Sequence, residues 1–413
     1  MSYHSDPSDI RLSDFTYSLP AERIADHPLE QRDASKLLVY KQGEISHLRF
    51  RDIGSELTSD MRLVFNDTKV IRARLHFPRQ TGAIIETLLL NPHTPHEVNL
   101  AMMATGSCVW SCMIGKKKRW KDDEVLTLSV TVNGTPVNIS ARLQDRAANL
   151  VEFSWDVPTI TFVDILGHLG ELPLPPYIHR KATEEDHRQY QTVYAQHQGA
   201  VAAPTAGLHV TPEVLADLDA RNIQRSFVTL HVSAGTFLPV KSDEVAEHDM
   251  HAEQMILNRD QIEALFPSLG NLVPVGTTSM RLLESMYWVG TLLLEDPDQF
   301  PAGKPFLIEQ DLPYRKSFAD LPTPQESVQA ILDYLDRNGL ETWVGDTRIF
   351  ILPGYQFQVC RGLITNFHMP ETTLILLVAA LVGSDWERIY QTALDSDYRF
   401  LSYGDSSLLL PNG

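Results

Sequence analysis

The sequence predicts an α/β main domain that is interrupted by an inserted six-stranded antiparallel β-barrel. From about Thr81 to Phe153, short β-rich runs follow one another, with turn-like segments between them. On both sides of this region strands alternate with helices, a pattern typical of α/β domains. We therefore expect a discontinuous α/β domain over residues 1–78 and 156–413, with the small β-barrel over residues 79–155.

The insertion contains six predicted strands. They are Ile84–Leu90, Val98–Met103, Val109–Ile114, Val125–Val132, Val137–Leu143 and Leu150–Phe153. Two of the intervening segments, GKKKRWKDDE and VNGTP, are interpreted as turns that close β-hairpins. Short antiparallel strands of this kind favour a small barrel or a sandwich.

Capping residues predict three helix starts in the main domain. Thr211 precedes a proline at the first helical position, which is typical of a helix start. The segments Thr323-Pro324-Gln325-Glu326 and Ser384-Asp385-Trp386-Glu387 both have the pattern of a capping box. Among the strands, Phe227–Val232 is predicted to be buried. Leu272–Val275 is predicted to be an edge strand or a strand end, because proline lacks the donor for a central ladder.

The charge balance argues against a general nucleic-acid binder. The 413-residue chain has 35 basic and 53 acidic side chains, a net charge of −18, which repels polyanions at long range. An enzyme that docks one RNA through a local basic patch remains compatible with this charge. The N-terminus lacks the apolar core of a signal peptide, and the longest apolar run, Leu374–Val382, is far shorter than the ~20 residues that cross a bilayer. We expect a cytoplasmic protein that does not insert into membranes.

The three cysteines are too few for a disulfide framework in a chain of this length. Cys108 and Cys112 have a spacing that metal sites use, but no second Cys/His pair accompanies them. Two small apolar residues on a strand are the favoured interpretation. The fingerprints G-x-G-x-x-G, G-x-x-x-x-G-K-[ST], HExxH and G-x-S-x-G are also missing, so NAD, ATP and serine-hydrolase functions lose their best support.

Four loops that follow strands or precede helices are rich in small and hydroxyl residues. They are Ala202–His209, Leu230–Phe237, Val275–Arg281 and Thr365–Pro370. Loops at the carboxyl ends of sheet strands bind ligands in open α/β folds, and free N–H groups at a helix start accept a carboxylate or phosphate. For any single loop, a tight turn with a hydroxyl cap is an equally ordinary explanation.

Histidines occur in three of these loops, namely His209, His231 and His368. One such histidine is usually structural, but three in similar loops favour a shared cleft. A separate group, His248, His251 and Glu253, could form half of a metal site, yet no third ligand is evident. A general acid/base or orienting role is favoured over that, and a plain surface helix stays open as an alternative.

The most positive segment lies in the predicted barrel. It consists of Lys116, Lys117, Lys118 and Arg119, followed by Trp120. Charge runs are usually solvated loops. In a chain this acidic, we interpret the run as an arm that contacts phosphates, with an aromatic neighbour.

About ten segments, in order, resemble the S-adenosylmethionine:tRNA ribosyltransferase-isomerase family of queuosine biosynthesis. They are Asp14-Phe15, Leu19-Pro20, Ile24–Pro28, Arg32–Leu37, Val64–Val70, Ala73–Leu75, Leu172–Ile178, Tyr190–Ala195, Gly199–Thr211, the loops around His231, His251, Thr277 and His368, and Tyr398–Asp405. Their spacing covers nearly all of the chain. The resemblance implies an α/β domain with an inserted six-stranded barrel, which agrees with the strand pattern.

The resemblance also implies a reaction. Family members transfer the ribosyl part of S-adenosylmethionine, a co-substrate, to 7-aminomethyl-7-deazaguanine at the tRNA wobble position and isomerise it. Epoxyqueuosine-tRNA results, and adenine and methionine leave. No metal is implied, and we expect a monomer whose macromolecular partner is tRNA.

Roles follow for residues in the matching segments. Candidates for proton transfer are His209, His231, His248, His251 and Glu253. Candidates for holding the co-substrate are Asp67, Thr68, Thr205, Thr236, Thr277, Thr278, Arg281, Asn366 and His368. Candidates for contacting tRNA are Arg32, Lys69, Arg74, Lys116, Lys117, Lys118 and Arg119.

The chain departs from the family pattern in a few places. Residues 289–346 have no recognised counterpart in shorter members, and the capped helix at Thr323 predicts an extra folded segment there. Ser233, Arg72 and Val210 replace residues common in the family. The alternatives are a paralogous S-adenosylmethionine-dependent transferase with another acceptor and a catalytically idle tRNA-binding protein. A methyltransferase is disfavoured because the glycine loop of that fold is absent.

Overall fold

The structure is a computed structural model that describes residues 9–233, 243–245, 248–302, 304–315 and 321–412. Its α-helices are α1 (Val98–Met102), α2 (Phe162–Leu169), α3 (Glu184–Gln189), α4 (Pro212–Ala220), α5 (Arg259–Leu265), α6 (Thr277–Glu295), α7 (Pro324–Asn338), α8 (Thr373–Val382) and α9 (Asp385–Asp395). No helix within those ranges is both long and apolar enough to span a membrane.

The strands are distributed over the whole chain. They are β1 (Lys36–Lys41), β2 (Glu44–Arg49), β3 (Arg62–Asn66), β4 (Thr68–Val70), β5 (Arg74–Pro78), β6 (Ile84–Thr94), β7 (Ser107–Gly115), β8 (Val125–Val132), β9 (Thr135–Asp145), β10 (Leu150–Trp155), β11 (His197–Ala200), β12 (Gln224–His231), β13 (Glu253–Asn258), β14 (Leu272–Val275), β15 (Phe306–Ile308), β16 (Thr342–Thr347), β17 (Leu363–Asn366) and β18 (Ser406–Leu410).

A ten-stranded mixed sheet forms the main domain, in the order β15-β16-β13-β12-β3-β14-β17-β18-β1-β2. The four central neighbours β12, β3, β14 and β17 run parallel to one another. Both faces of the sheet are covered, one by a core that includes α6, α7, α8 and α9 and the other by a core that includes α4. A parallel sheet must be covered on both faces, which explains the continuous apolar runs in these strands.

The second sheet has six antiparallel strands in the order β5-β6-β7-β10-β9-β8. Its edge strands β5 and β8 approach each other, so the sheet is a nearly closed barrel around its own apolar core. The predicted fold class, an α/β main domain with an inserted six-stranded antiparallel barrel, is therefore confirmed. The division into domains at residues 78/79 and 155/156 stays a prediction, and the barrel sheet begins at β5, ahead of the first of these boundaries.

Two details of the barrel prediction are wrong. The segment Val98–Met103 is not a strand, because Val98–Met102 forms α1, in which Val98, Ala101 and Met102 are buried at helical spacing. The sixth strand is instead β5, whose residues alternate between buried and less buried positions. A short apolar run satisfies both periodicities, so its neighbours decide which one forms.

The two predicted hairpin turns have different outcomes. Asn133-Gly134 joins β8 to β9 as a two-residue turn in which both residues have positive φ, at 49° and 81°, as a tight hairpin turn requires. The segment GKKKRWKDDE joins β7 to β8, which are not neighbours in the sheet, so its assignment to a hairpin is wrong. Of the two segments, only VNGTP contains residues that favour a specific turn geometry, namely Asn133 and Gly134.

The predicted helix starts are largely confirmed. Thr211 caps α4, and Thr323 forms a capping box with Glu326 at the start of α7. The helix α9 also exists, but Ser384 is itself in helical conformation and its side chain makes no cap hydrogen bond, so the second capping box is wrong. A hydroxyl at the right position caps only when its backbone stays extended.

Of the two alternatives for β14, the edge strand is wrong, since β14 pairs with β3 on one side and β17 on the other, while Pro274 does lie next to the end of the strand. The Leu272 carbonyl accepts from the Arg361 N–H, and the Gly276 N–H donates to the Ile364 carbonyl, so both residues bond toward β17. Pro274 lies between them, and the N–H that proline lacks would point to the same side. The ladder with β17 is limited to one residue pair. The absent N–H is therefore placed where the ladder is shortest.

Within residues 289–346, the described part folds as the end of α6 followed by β15, α7 and β16. The strands β15 and β16 extend the large sheet beyond β13. The helices α6 and α7 touch backbone to backbone, because a Cβ added at Gly290 would lie 1.9 Å from Ser327 O. The extra segment is thus built into the sheet and its main helix.

We expect Gly290→Ala to destabilise the protein by about 1–3 kcal/mol, because the new methyl group forces α6 and α7 apart. Gly167→Ala is the matched control. Gly167 is an exposed residue of α2 with nothing within 4 Å of an added Cβ, and we expect a gain of up to ~1 kcal/mol. Urea unfolding of both variants measures the difference. Equal midpoints would contradict the close contact between the two helices.

Candidate active site

The carboxyl ends of β12, β3, β14 and β17 meet at one edge of the large sheet because these neighbouring strands are parallel. We call this edge, with the residues that directly follow the four strands, the carboxyl edge. The segment Thr205–His209 also packs against β17. Three of the four loops singled out in the sequence follow β12, β14 and β17. The fourth loop, Ala202–His209, ends in the segment Thr205–His209. Ligands bind at such an edge in open α/β sheets.

The end of β3 is tied to β12 by side chains. Asn66 donates to Leu230 C=O at 2.9 Å and accepts from the N–H groups of Leu230 and Thr68 at 3.2 and 3.3 Å. Asp67 accepts the hydroxyl hydrogen of Thr229 at 2.8 Å, and its other oxygen lies 3.7 Å from His197 Nε2. Burial raises the pKa of Asp67, an effect that Thr229 and His197 oppose. Asp67 is thus a buried carboxyl with one partly exposed partner.

His231, at the end of β12, is buried, and within the described part of the chain neither of its ring nitrogens has a hydrogen-bond partner. Gly199 lies against the ring, since a Cβ there would come within 2.9 Å of His231 Nδ1. Burial lowers the pKa of His231 to about 3, with a further contribution from His197, so the imidazole is neutral at neutral pH. A neutral buried imidazole without partners is free to bind a ligand or accept a proton.

His209 differs from His231 because both of its ring nitrogens are bonded. Asn366 donates its amide hydrogens to the carbonyls of Leu401 and Ser402, so its oxygen faces His209 Nε2 at 3.1 Å. His209 Nε2 therefore carries hydrogen, and Nδ1 accepts from the Ser35 hydroxyl at 2.9 Å. Burial lowers the pKa of His209 to about 4. His209 joins three segments of chain in the neutral form.

His368 is also bonded. The ring Nε2 of His368 lies 2.9 Å from the Thr365 hydroxyl. Its backbone N–H donates to the Tyr390 hydroxyl oxygen at 3.2 Å, and its backbone carbonyl accepts from the Tyr17 hydroxyl. Burial lowers its pKa to about 4. His368 is therefore held at the end of β17 by contacts with both flanking segments.

The helix α6 begins directly after β14, with its N-terminus at the carboxyl edge. Gly276 is its N-cap with φ 97°, so no side chain caps the first turn. The first N–H groups of a helix lack acceptors within the helix, and its dipole favours an anion there. Thr277 is buried, and the Thr278 hydroxyl is buried without a partner among the described residues. This first turn is suited to a carboxylate or a phosphate.

Arg281, one turn further along α6, pairs with Glu253 at the start of β13, and both side chains are buried. Arg281 Nε also donates to Ile349 C=O at 3.2 Å. One atom of each partner, Arg281 Nη2 and Glu253 Oε1, stays without a hydrogen bond among the described residues. Because the pair leaves one donor and one acceptor unused, it can hold a zwitterionic group.

His248 and His251 precede β13 in an irregular stretch, so the alternative of a surface helix is wrong. His248 is half-buried and His251 is exposed, and partial desolvation lowers the pKa of each. His248 packs edge-on against Phe350. No group of three or more His, Cys, Asp or Glu side chains that could hold a metal ion occurs in the described ranges.

Buried polar side-chain atoms without a hydrogen-bond partner occur in fourteen of the described residues, and some of these are predicted site residues. Five predicted site residues have such atoms, namely Thr68, His231, Glu253, Thr278 and Arg281. More than 90% of buried polar groups in folded proteins are hydrogen-bonded, so such a group of exceptions indicates a ligand site. Of the remaining candidates, Thr205 is half-buried at the start of its segment, and Thr236 lies outside the described residues.

The candidate tRNA residues fall into two groups. Arg32 donates to Gln189 Oε1 and to the carbonyls of Gln191 and Arg188 at 2.7–2.8 Å, so its guanidinium is used within the protein. Lys117 bonds to Arg146 C=O and Asn149, and Arg74 pairs with Glu86 at 2.6 Å. The exposed cations are Lys69, Lys116, Lys118 and Arg119. Trp120 is buried in the barrel core and is not available for stacking.

Some residues that complete the carboxyl edge were not singled out from the sequence. Ser35 and Gly199 belong to segments that carry the family resemblance, so that signal was available for them. His197 and Arg348 had no signal. Arg348 has a buried Nε without a partner among the described residues, and it influences His251, but it lies in a stretch without any motif.

Comparisons with known proteins agree with the sequence resemblance. A family model described as "Queuosine biosynthesis protein" matches residues 12–409. An S-adenosylmethionine:tRNA ribosyltransferase-isomerase from Legionella pneumophila (strain Lens) is 37% identical over 403 residues, covering 96% of this chain and 99% of the relative. One from Ruegeria pomeroyi is 38% identical over 415 residues, covering 97% and 100%. A solved S-adenosylmethionine tRNA ribosyltransferase from Thermotoga maritima is 25% identical, covering 96% of this chain and 100% of that one, with a TM-score of 0.44.

The buried neutral histidines predict how stability depends on pH. The pKa of His209 is about 4 in the folded protein, below its ordinary value of about 6.5, so below pH ~6.5 the unfolded chain binds a proton that the folded chain does not. The free energy of unfolding therefore falls by about 1.4 kcal/mol per pH unit for this residue between pH ~6 and ~4.5. In His209→Gln we expect this part of the slope to vanish.

Urea unfolding at several pH values measures the slope. His93→Gln is the control, because it makes the same substitution at an exposed histidine. If His209→Gln has the slope of the wild-type protein, the buried neutral state of His209 is contradicted.

Proposed function

The chain belongs to the queuosine biosynthesis family of S-adenosylmethionine:tRNA ribosyltransferase-isomerases, and from this membership we infer that it catalyses their reaction. It transfers the ribosyl moiety of S-adenosylmethionine to 7-aminomethyl-7-deazaguanine at the wobble position of tRNA and isomerises it. The products are epoxyqueuosine-tRNA, adenine and methionine. The observation that carries this inference is the family match, which runs from residue 12 to residue 409.

The reaction places three demands on the site. The sulfonium makes the adjacent C5′ hydrogens acidic, so a base must be placed beside them. The methionine end must be held so that the ribosyl carbons face the acceptor amine. The acceptor base must reach the same place from the tRNA. We propose that the carboxyl edge meets the first two demands.

For the methionine end, we propose the first turn of α6 together with the pair of Arg281 and Glu253. The uncapped N–H groups and Arg281 Nη2 would take the carboxylate, and Glu253 Oε1 would accept from the ammonium. The support is that an unused donor lies beside an unused acceptor in a buried pair. Glu253 then serves mainly to hold Arg281 and the substrate, which replaces the proton-transfer role expected from the sequence.

For the base, we propose His231. The support is its place at the end of β12 beside Gly199 and the absence of any hydrogen-bond partner among the described residues that would have to be displaced. His209 is a weaker candidate because Ser35 and Asn366 already bond both of its nitrogens. We propose that His209 positions Asn366 and that Asp67, Thr68, Thr205 and His368 line the space for ribose and adenine.

His248 and His251 stay candidates for proton transfer on the face of the sheet that carries Arg281, since His251 is influenced by that guanidinium. Thr236 stays a candidate for holding the co-substrate by resemblance alone. We also propose that the enzyme works as a cytoplasmic monomer on tRNA and without a metal.

The inferred reaction predicts which substrates release adenine. With S-adenosylmethionine and tRNA that carries the aminomethyl precursor, we expect adenine, methionine and modified tRNA in equal amounts, measured by chromatography and mass spectrometry of the tRNA nucleosides. With unmodified tRNA we expect none of these products. Release without the precursor would favour a transferase with another acceptor. Binding of the precursor tRNA without any release would favour an idle binding protein.

The role of His231 predicts a selective loss of turnover. We expect His231→Ala to lower kcat by about 10²–10⁴-fold, as for other acid–base residues, while the Kd for tRNA changes by less than about twofold. His93→Ala is the matched control, since His93 is exposed and lies on the barrel. Single-turnover adenine release and a tRNA binding titration separate the two effects. If His231→Ala keeps wild-type kcat, another residue is the base.

A further inference from the structure

A groove of about 570 Å³ lies outside the carboxyl edge, between the outer wall of the barrel and the main domain. The outer faces of β5, β6 and β7 form one side, and the segment Leu174–Pro176 forms the other. Ligand pockets commonly measure about 300–1,000 Å³, so the groove is large enough for a nucleobase. Arg74, which lines the groove, and the adjoining segment Lys116–Arg119 are candidates for contacting tRNA, but no motif assigns the groove itself to a part of the tRNA.

The walls of the groove are largely apolar. Arg74, Leu88 and Met113 are direct cross-strand neighbours on β5, β6 and β7, so their side chains lie side by side on the outer face. Leu174 and Pro176 face them from the main domain. Met113 is 38% exposed although it belongs to this wall. Apolar side chains on two sides of a groove can pack against a flat ring, and methionine sulfur packs well against aromatic groups.

The groove also carries a polar pair suited to the edge of a base. Arg74 Nη1 donates to Glu86 Oε1 at 2.6 Å, and both side chains are partly exposed. A guanidinium beside a carboxylate presents donors next to acceptors, which is the combination that base edges require. This pair has a further neighbour in His76, whose Nε2 lies 3.4 Å from Glu86.

A basic rim adjoins the groove. Gly115 lines it, and the exposed residues Lys116, Lys118 and Arg119 follow directly in the chain. Lys117 bonds to Asn149, which also lines the groove, so the basic segment is anchored to it. In a chain with a net charge of −18, this local positive segment beside an apolar groove is complementary to an RNA strand.

We propose that this groove binds one unpaired nucleobase of the substrate tRNA while the basic rim contacts the adjoining phosphates. Proteins that recognise RNA loops commonly stack a base that is turned out of the loop, and they bind its phosphates with lysine and arginine. The proposal rests on the proposed function for the identity of the RNA. It assigns the barrel a role in recognition, separate from the chemistry at the carboxyl edge.

The position of the groove agrees with this role. Thr68, at the carboxyl edge, and Arg74, in the groove, are six residues apart in the chain, which limits the distance between them to about 20 Å. One tRNA loop can therefore reach both places at once. A bound base in the groove would fix the orientation of the loop whose wobble base enters the site.

The test uses two variants of the full-length protein. Met113→Trp fills the groove from its exposed wall, and we expect the Kd for tRNA to rise about tenfold with kcat at saturating tRNA unchanged. Lys118→Ala removes a rim charge, and we expect a weaker Kd and a slope of log Kd against log salt that is smaller by about 0.7. For Met113→Trp the salt slope should stay the same, because no charge is removed.

Val125→Trp is the matched control, since Val125 is exposed on β8 of the barrel and does not line the groove. If wild-type protein releases adenine but Met113→Trp and Lys118→Ala both bind tRNA normally, the groove is not an RNA site and a protein partner becomes the better occupant. If wild-type protein binds tRNA without releasing adenine while both variants bind more weakly, the proposed function fails and the groove proposal stands.

Discussion

The parallel pairing of β12, β3, β14 and β17 is the constraint on which the rest of the structure depends. Parallel strands must all end at the same edge, so residues far apart in the chain are brought together there without any contact of their own. The same arrangement buries both faces of the sheet, which requires α6 on one face and α4 on the other. The start of α6, directly after β14, is thereby directed at the site.

Hydrogen bonding then divides the residues at this edge by function. His209 and Asn366 use their polar atoms to join the segments around Ser35 and Leu401, and they shape the site. His231 and Thr278, by contrast, are buried with polar atoms that no described residue satisfies. Leaving such groups unpaired destabilises a fold, so we interpret them as reserved for the substrate.

Charge is also divided between regions. An acidic surface over most of the chain repels RNA at long range, whereas the exposed cations of the segment around Lys116 and Lys118 lie beside an apolar groove on the barrel. Affinity for tRNA would therefore arise at one place, away from the buried chemistry. Under the groove proposal, this separation would explain how a protein with a net charge of −18 acts on a polyanion.

The sequence by itself determined the fold class, the capped starts of α4 and α7 and the Asn133-Gly134 turn, because each depends on local periodicity or on one residue's conformational preference. It also identified the loops at the carboxyl edge through their small and hydroxyl residues, and the family resemblance included the same loops. Only the tertiary structure decided that Val98–Met102 is a helix, that β14 is central and that His209 is bonded where His231 is not. Those outcomes depend on partners distant in the chain, which no local pattern specifies.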